Sequence, residues 1–299
     1  KAINCIIAVM LVVLVLNMRY KPYNGLQINM LDVGQGDSIY VSASGRHNFL
    51  FDGGSTDIKN AGQYRVYPAL CAMGCKYIDC IFISHTDNDH ISAVMELINM
   101  CDDTFSIGSI VMPDIKGKEN IEVYMKLVAM ADKAGINICY AVRGDTFTVG
   151  DLNIKCIHPC AGYDYEDSND YSAVYCISYK EFSMLMTGDA ESRAEDCFIN
   201  DINKESADNV NVKDELSDIT VLKVGHHGSK YATSDKLLKT IKPQYALISC
   251  GINNRYGHPH SETLERLEDN NCKVYVTNTS GEITIRTDGY KMSVHQYLQ

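Results

Sequence analysis

The segment His85-Thr86-Asp87-Asn88-Asp89-His90 constrains this chain more than any other. Four side chains able to bind a metal lie within six residues, directly after the apolar stretch Ile78–Ser84 and directly before apolar residues at helical spacing (Ile91, Val94, Met95, Ile98). An apolar run of that length, bounded in this way, reads as a fully buried strand. The cluster then sits at the carboxyl end of a strand in a helix-covered sheet, which is where α/β domains bind ligands. Imidazole and carboxylate groups at offsets 0, 2, 4 and 5 can point two to one side of the loop and two to the other, an arrangement suited to two adjacent ions. An acidic helix cap would account for one of these residues but not for four.

Two further sites repeat the pattern of chemistry at a strand end. Thr187-Gly188-Asp189 follows the apolar strand Ser183–Thr187, and Val224-Gly225-His226-His227-Gly228-Ser229-Lys230 follows the strand Thr220–Val224. A Gly-Asp pair after a strand is by itself an ordinary turn; beside the first cluster, Asp189 becomes the natural bridging ligand. Two adjacent histidines cannot both face one spot from regular structure. One is therefore expected as a ligand and the other as an acid, a phosphate contact or an outer support; the working assignment is His227 as ligand and His226 as acid. Asp52, beside two glycines, is expected to buttress the metal loop, whereas Asp32 and Asp37 bracket a Gly-rich turn and are expected to serve that turn. Lys230 and His258 are candidates for substrate phosphate contact, His258 also as an acid.

The remaining pattern is strand-rich at both ends, with helices interleaved. Strands are expected at Leu26–Leu31, Ser38–Val41, Asn48–Phe51, Asn137–Tyr140, Leu152–Ile157, Ala173–Ser178, Tyr245–Ser249, Lys273–Thr277 and Glu282–Arg286. Helices are expected at Ile91–Met100, Ile121–Ala134, Ser192–Ile202, Asp235–Ile241 and Glu262–Asn270, with an acidic loop over His158–Tyr171 that contains Tyr163, Asp164 and Tyr165, and a charged loop over Asn203–Ser217. This is a layered α/β domain. With 45% apolar and 22% charged residues, the chain as a whole is neither disordered nor of low complexity. A net charge of −11 argues against non-specific coating of duplex DNA, but not against a phosphodiester held by metal ions, because bound cations invert the local potential. Most of the 12 cysteines lie in apolar runs and read as reduced core residues. Cys71, Cys75 and Cys80, and the Cys156–Cys160 pair, lack the spacing of a zinc site.

Cys5–Leu16 is an unbroken apolar run of 12 residues, which Ala2 and Ile3 extend. A spanning helix needs roughly 20 residues. Residues 1–20 are expected as the truncated tail of a transmembrane segment, with a signal-peptide remnant or a buried core helix as the other readings. Residues 21–25 read as a linker and 26–299 as the metal-binding α/β domain. Arg19 and Lys21 after the run favour a cytoplasmic domain by the positive-inside rule.

The three strand-end sites, in this order, resemble the metallo-β-lactamase superfamily. More closely, the chain resembles the C-terminal domain of the ComEC family of DNA-internalisation membrane proteins. The resemblance runs from about residue 26 to about residue 290. It is carried by Leu31-Asp32-Val33-Gly34-Gln35-Gly36-Asp37-Ser38, Phe51-Asp52-Gly53-Gly54, Ser84–His90, Leu185–Asp189, Leu222–Ser229 and Asn254-Arg255-Tyr256-Gly257-His258-Pro259. It implies a four-layer αβ/βα sandwich and two divalent metal ions, Mn²⁺ or Zn²⁺, held by His85, Asp87, Asp89, His90, Asp189 and His227. It also implies hydrolysis of DNA, single-stranded by preference, alongside a membrane channel or other competence proteins, with the domain on the outer face. Oligomeric state is left open. Two departures matter. Asp87 stands where the superfamily most often has His, although ComEC-type domains share the Asp, and the usual mid-chain His is matched only by His158, while the expected place falls nearer Asn169. A site poorer in imidazole favours Mn²⁺ more than a three-His site does. The other functional readings are an anchored phosphodiesterase acting on a phosphocholine ester and a non-catalytic channel-associated domain.

Overall fold

The computed structural model describes residues 2–18, 22–118, 121–160, 166–208 and 216–298. Two sheets face each other. The first contains β1 (Leu26–Met30), β2 (Ile39–Ala43), β3 (His47–Phe51), β4 (Tyr77–Phe82), β5 (Ser106–Pro113), β6 (Asn137–Ala141), β14 (Ile283–Thr287) and β15 (Met292–Gln296), in the order β15-β14-β1-β2-β3-β4-β5-β6. The second contains β7 (Thr146–Val149), β8 (Leu152–His158), β9 (Val174–Tyr179), β10 (Phe182–Met186), β11 (Val221–Lys223), β12 (Tyr245–Ile248) and β13 (Lys273–Val276), in the order β13-β12-β11-β10-β9-β8-β7.

The apolar runs are explained by burial on both faces. In β4, Cys80 and Phe82 join the core between the sheets, while Ile81 and the following Ile83 join the core under the outer helices. In β10, Met184 and Met186 face the opposite sheet, and Leu185 faces the other helical layer. Side chains alternate along a strand, so a strand covered on both sides must be apolar at every position. Between the sheets, Phe51 stacks on Phe82 at 4.8 Å, and Tyr175 meets Phe82 edge-on at 5.1 Å.

Helices α2 (Tyr67–Ala72), α3 (Asn88–Asn99) and α4 (Glu122–Lys133) bury Leu70, Ile91, Val94, Leu97 and Leu127 against the first sheet. Helices α5 (Ser192–Asp208), α6 (Asp235–Ile241) and α7 (Ser261–Asp269) bury Phe198, Ile202, Leu237, Ile241 and Leu267 against the second. The result is helix, sheet, sheet, helix. A short turn of helix, α8 (Thr277–Ser280), leads into β14.

Several elements differ from the expectation. α5 continues to Asp208, past Ile202 and into the stretch expected as a loop; residues 209–215 of that stretch lie outside the described residues, as do Tyr163, Asp164, Tyr165, Arg19, Tyr20 and Lys21. β5, β7, β15 and a π-helical turn over Gly62–Val66 that runs into α2 were not expected. β5 reads SIGSIVMP, where glycine and two serines hide a strand that parallel neighbours on both sides hold in place.

The N-terminal apolar run forms α1 (Ala2–Met18), 17 residues long, with Ile6, Val9, Met10 and Val12 exposed. Residues 1–20 are expected only as a truncated tail, and no helix among the described residues is by itself long and apolar enough to cross a membrane.

Candidate metal centre

The cluster assembles where β4, β10 and β11 end on the same side of the facing sheets. His85 follows β4 directly and is fully buried. Asp87 caps α3 in an extended conformation (φ −73°, ψ 152°) without a side-chain cap bond, so its carboxylate is free to turn outward, where Ser168 Oγ donates to it at 3.0 Å. Asp89 and His90 occupy the first turn of α3. The Gly-rich loops press against this turn. The Asp37 amide donates to the Asp89 carbonyl at 2.9 Å and the Gly53 amide to the His90 carbonyl at 2.6 Å. A Cβ on Gly54 would lie 2.4 Å from the Asn88 carbonyl oxygen, so only glycine permits that approach.

Asp189 is the hub. Its Oδ1 lies 3.2 Å from His90 Nε2. Its Oδ2 lies 3.6 Å from His227 Nε2, 3.7 Å from His226 Nε2 and 4.0 Å from His85 Nε2. Both histidines of the adjacent pair thus aim at one carboxylate. The backbone makes this possible, because His226 (φ 46°) and His227 (φ 52°) are both left-handed. The expectation that only one could face the site assumed regular structure and is corrected here. Their other nitrogens are fixed differently: His227 Nδ1 is 3.0 Å from the Ser249 carbonyl, and His226 Nδ1 is 2.8 Å from Glu191 Oε1. His227 is buried and His226 retains 27% side-chain exposure.

Asp52 lies beneath. The Ser84 amide donates to its Oδ1 at 2.7 Å and the Ser84 hydroxyl to its Oδ2 at 2.7 Å, and His90 Nδ1 is 3.0 Å from Oδ2. That contact leaves His90 Nε2 pointing at Asp189. Asp37 is not a turn residue. It is buried against Lys223, whose ammonium contacts it, and 3.4 Å from His227 Nδ1; Asp32 does serve its turn, accepting from the Gly34 amide. Lys223 is itself only 1% exposed and donates to the Gly188 carbonyl at 2.7 Å.

The electrostatics are those of a crowded pocket. Burial pushes His85 down to about 3, with His90 adding to the effect. Burial opposes charge on His227 as well, but Asp189 and Asp37 override it and raise the group to about 10. Burial likewise disfavours ionised Asp189, yet His90, His227 and His226 hold it well below the usual carboxylate range. His85 Nε2, His90 Nε2, His227 Nε2 and Asp189 Oδ1 are buried without a hydrogen-bond partner. Buried polar atoms are rarely left so. Groups of three donors within 4.8 Å of one another occur as His85, His90 and Asp189, and as Asp89, His90 and His227. Imidazole and carboxylate donors at that spacing fit divalent ions, and two overlapping triads fit a pair of them.

Residues 31–252 match the description of the metallo-beta-lactamase superfamily. The chain belongs to that superfamily. Among curated relatives, it is 31% identical over 273 residues to ComE operon protein 3 of Bacillus subtilis, covering 87% of this chain and 33% of that protein. It is 27% identical to Recombination protein 2 of Haemophilus influenzae (90% and 30% covered) and 26% identical to Competence protein ComA of Neisseria gonorrhoeae (88% and 32%). The chain spans about a third of the length of these relatives. Solved structures share the fold at low identity. CmlA, a diiron beta-hydroxylase from Streptomyces venezuelae, aligns with a TM-score of 0.55 at 11% identity, covering 89% of this chain and 55% of that one. The metallo-beta-lactamase fold protein YhfI from Bacillus subtilis aligns with 0.53 at 13%, covering 84% and 96%. Fold and donor set together are those of a divalent-metal-dependent hydrolase.

Other residues singled out from the sequence fall at different distances from this centre. His258 stands beside it, its ring 5.5 Å from His226 and 6.2 Å from His227. Burial, with the neighbouring imidazoles, pushes it down to about 4. Lys230 is exposed, with its ammonium over the Tyr231 ring at 5.3 Å. His158 is buried away from the centre and binds the Asp170 carbonyl through Nε2 at 2.7 Å. Asn169 contributes its carbonyl to the Ser172 amide at 3.2 Å. It is Ser172 that reaches the centre, accepting from the Asp189 amide at 2.9 Å and lying 3.4 Å from His85 Nδ1. Asp37, Lys223 and Ser172 are the site residues that sequence reasoning missed. The position of Lys223 in an otherwise apolar strand was the available signal for one of them.

Proposed function

We propose that this domain hydrolyses phosphodiesters with two divalent ions held by His85, Asp87, Asp89, His90, Asp189 and His227, and that its substrate is DNA, preferentially single-stranded. The observation that carries this reading is the convergence of four imidazole Nε2 atoms on the single carboxylate of Asp189. Ions bound there would lower the pKa of water toward neutrality and neutralise phosphate oxygens. Asp89, partly exposed and 3.5 Å from His227 Nε2, accepts the proton of the attacking water. His226, with Nδ1 on Glu191 and part of its ring open to solvent, gives a proton to the leaving oxygen. His258, at the rim beside His226, orients the phosphate, and exposed Lys230 and Arg255 draw the rest of an anionic chain toward the cleft despite the acidic domain.

Similarity to competence and recombination proteins supports DNA as the substrate class and a role beside a DNA-uptake channel. The exposed apolar residues of α1 support placement at a membrane, and the uptake role supports the outer face for the hydrolase unit, residues 26–299. Asp87 in place of an imidazole supports Mn²⁺ over Zn²⁺. The experiment is a turnover panel on protein loaded separately with each metal: single-stranded DNA, duplex DNA, a simple aryl phosphodiester and a phosphocholine ester. Preferential cleavage of single-stranded DNA that is lost in Asp189→Asn agrees with the proposal. Turnover of the phosphocholine ester alone would replace DNA as substrate, and metal-loaded protein inert on all four would remove the hydrolase reading.

A further inference from the structure

The end of β8 and one face of α5 bring together three donors that the centre above does not use. A ring nitrogen of His158 and the sulfurs of Cys160 and Cys197 lie within 4.8 Å of one another. Asp201, one helical turn beyond Cys197, adjoins this group, with the Cys160 thiol donating to its Oδ2 at 2.9 Å. From this geometry we infer a second metal site, a closed tetrahedral one formed by His158, Cys160, Cys197 and Asp201, that takes a zinc-class ion.

The tautomer of His158 is set for this. Its Nε2 lies 2.7 Å from the Asp170 carbonyl oxygen, a contact that requires the proton on Nε2 and leaves the lone pair on Nδ1. A metal-binding histidine commonly anchors its far N–H on a backbone carbonyl in this way. Burial keeps the ring neutral, with its pKa lowered to about 4. Without a cation, burial and Asp201 push the Cys160 thiol up, so the ligands hold protons that an arriving ion displaces, one from each thiol. Two thiolates, one carboxylate and a divalent ion leave a single negative charge. Arg143, which acts electrostatically on both His158 and Cys160 and donates to the Ile157 carbonyl at 3.1 Å, offsets it.

The site is structural, because protein donors fill all four positions. It ties the second sheet to α5 and, through the Asp170 carbonyl, fixes the stretch that delivers Ser172 to Asp189. Sequence spacing conceals it, because Cys197 and Asp201 come from a helix far along the chain from His158 and Cys160.

Cobalt distinguishes this site from the hydrolytic centre, whose proposed donors are nitrogen and oxygen only. The purified chain, kept reduced and stripped of metal, is titrated with Co²⁺ and the near-ultraviolet thiolate-to-cobalt charge-transfer bands are read. Bands should appear in the native chain and in Cys71→Ser, which alters an exposed cysteine elsewhere. They should weaken in Cys160→Ser and in Cys197→Ser and vanish in the double variant, with loss of about one zinc equivalent by elemental analysis. Asp201→Asn should retain the bands with a shifted visible spectrum. Native chain without thiolate bands overturns the proposal, which needs no variant to fold for that result. Bands that persist undiminished in the double cysteine variant overturn it as well.

Discussion

Replacing Lys223 with methionine should expose how the metal centre balances its charge. The ammonium is buried, contacts Asp37 and lies 3.8 Å from Asp189 Oδ1. Two unit charges at the latter distance, at an effective dielectric near 20, attract by about 4 kcal/mol. Removing one member of a buried pair typically costs about 3–5 kcal/mol, because the partner stays buried without compensation. Burial disfavours ionised Asp37, and Lys223 is the leading group that nevertheless keeps it ionised. In metal-free protein at neutral pH, Lys223→Met should therefore lower unfolding free energy by about 3–5 kcal/mol in urea titrations with an unchanged m-value. Methionine fills a similar volume, so packing contributes little to that loss. Asp37→Asn in the same chain should recover much of it, giving a double-mutant coupling of about 2 kcal/mol or more. Divalent ions should stabilise Lys223→Met more than the native chain, because the ion supplies the missing positive charge. A cost below about 1 kcal/mol, or strict additivity with Asp37→Asn, would refute the idea that Lys223 neutralises this pocket.

Asp52→Ala removes the acceptor for the Ser84 amide and the anchor of His90 Nδ1; titration calorimetry should show metal affinity reduced about 10–100-fold. His227→Ala should bind about one ion fewer by elemental analysis, whereas His226→Gln should keep its metal and lose about 10²–10⁴ in kcat. Asp87→His should move the metal optimum toward Zn²⁺, read from activity across a Mn²⁺ and Zn²⁺ titration, and an unchanged optimum would remove the argument from donor type.

The residues that the fold gathers at the centre were legible in the sequence wherever the chemistry is local. His85, Asp87, Asp89 and His90 share one strand-to-helix junction, and Asp189 follows its own strand directly, so alternation and helical spacing located them. What was illegible depends on contacts between distant segments or on unusual backbone. Asp37 and Lys223 meet across the two sheets, and nothing near either residue announces the other. The paired aim of His226 and His227 comes from two left-handed residues in a row, which side-chain periodicity cannot foretell. α5 outruns its expected end because its last turns are polar and carry no apolar stripe. β15 and β7 were hidden by their shortness: Met292 and Val294, and Phe147 and Val149, alternate toward the core over only four or five residues each.

The order of strands in the first sheet also governs how the domain is made. β1 pairs on one side with β2, its neighbour in sequence, and on the other with β14, from Leu26 against Thr287 to Met30 against Ile283. During synthesis β1 emerges early and carries an open edge until nearly the whole domain has left the ribosome. Leu26, Ile28 and Met30 on it join the core of the finished protein, so that waiting edge has one apolar face and is ready to pair with another chain. Loop closure over such a separation comes late and slowly. Slow or crowded synthesis should thus favour aggregation through β1, and a chaperone that covers residues 26–30 until β14 arrives would act at the most vulnerable point of the fold.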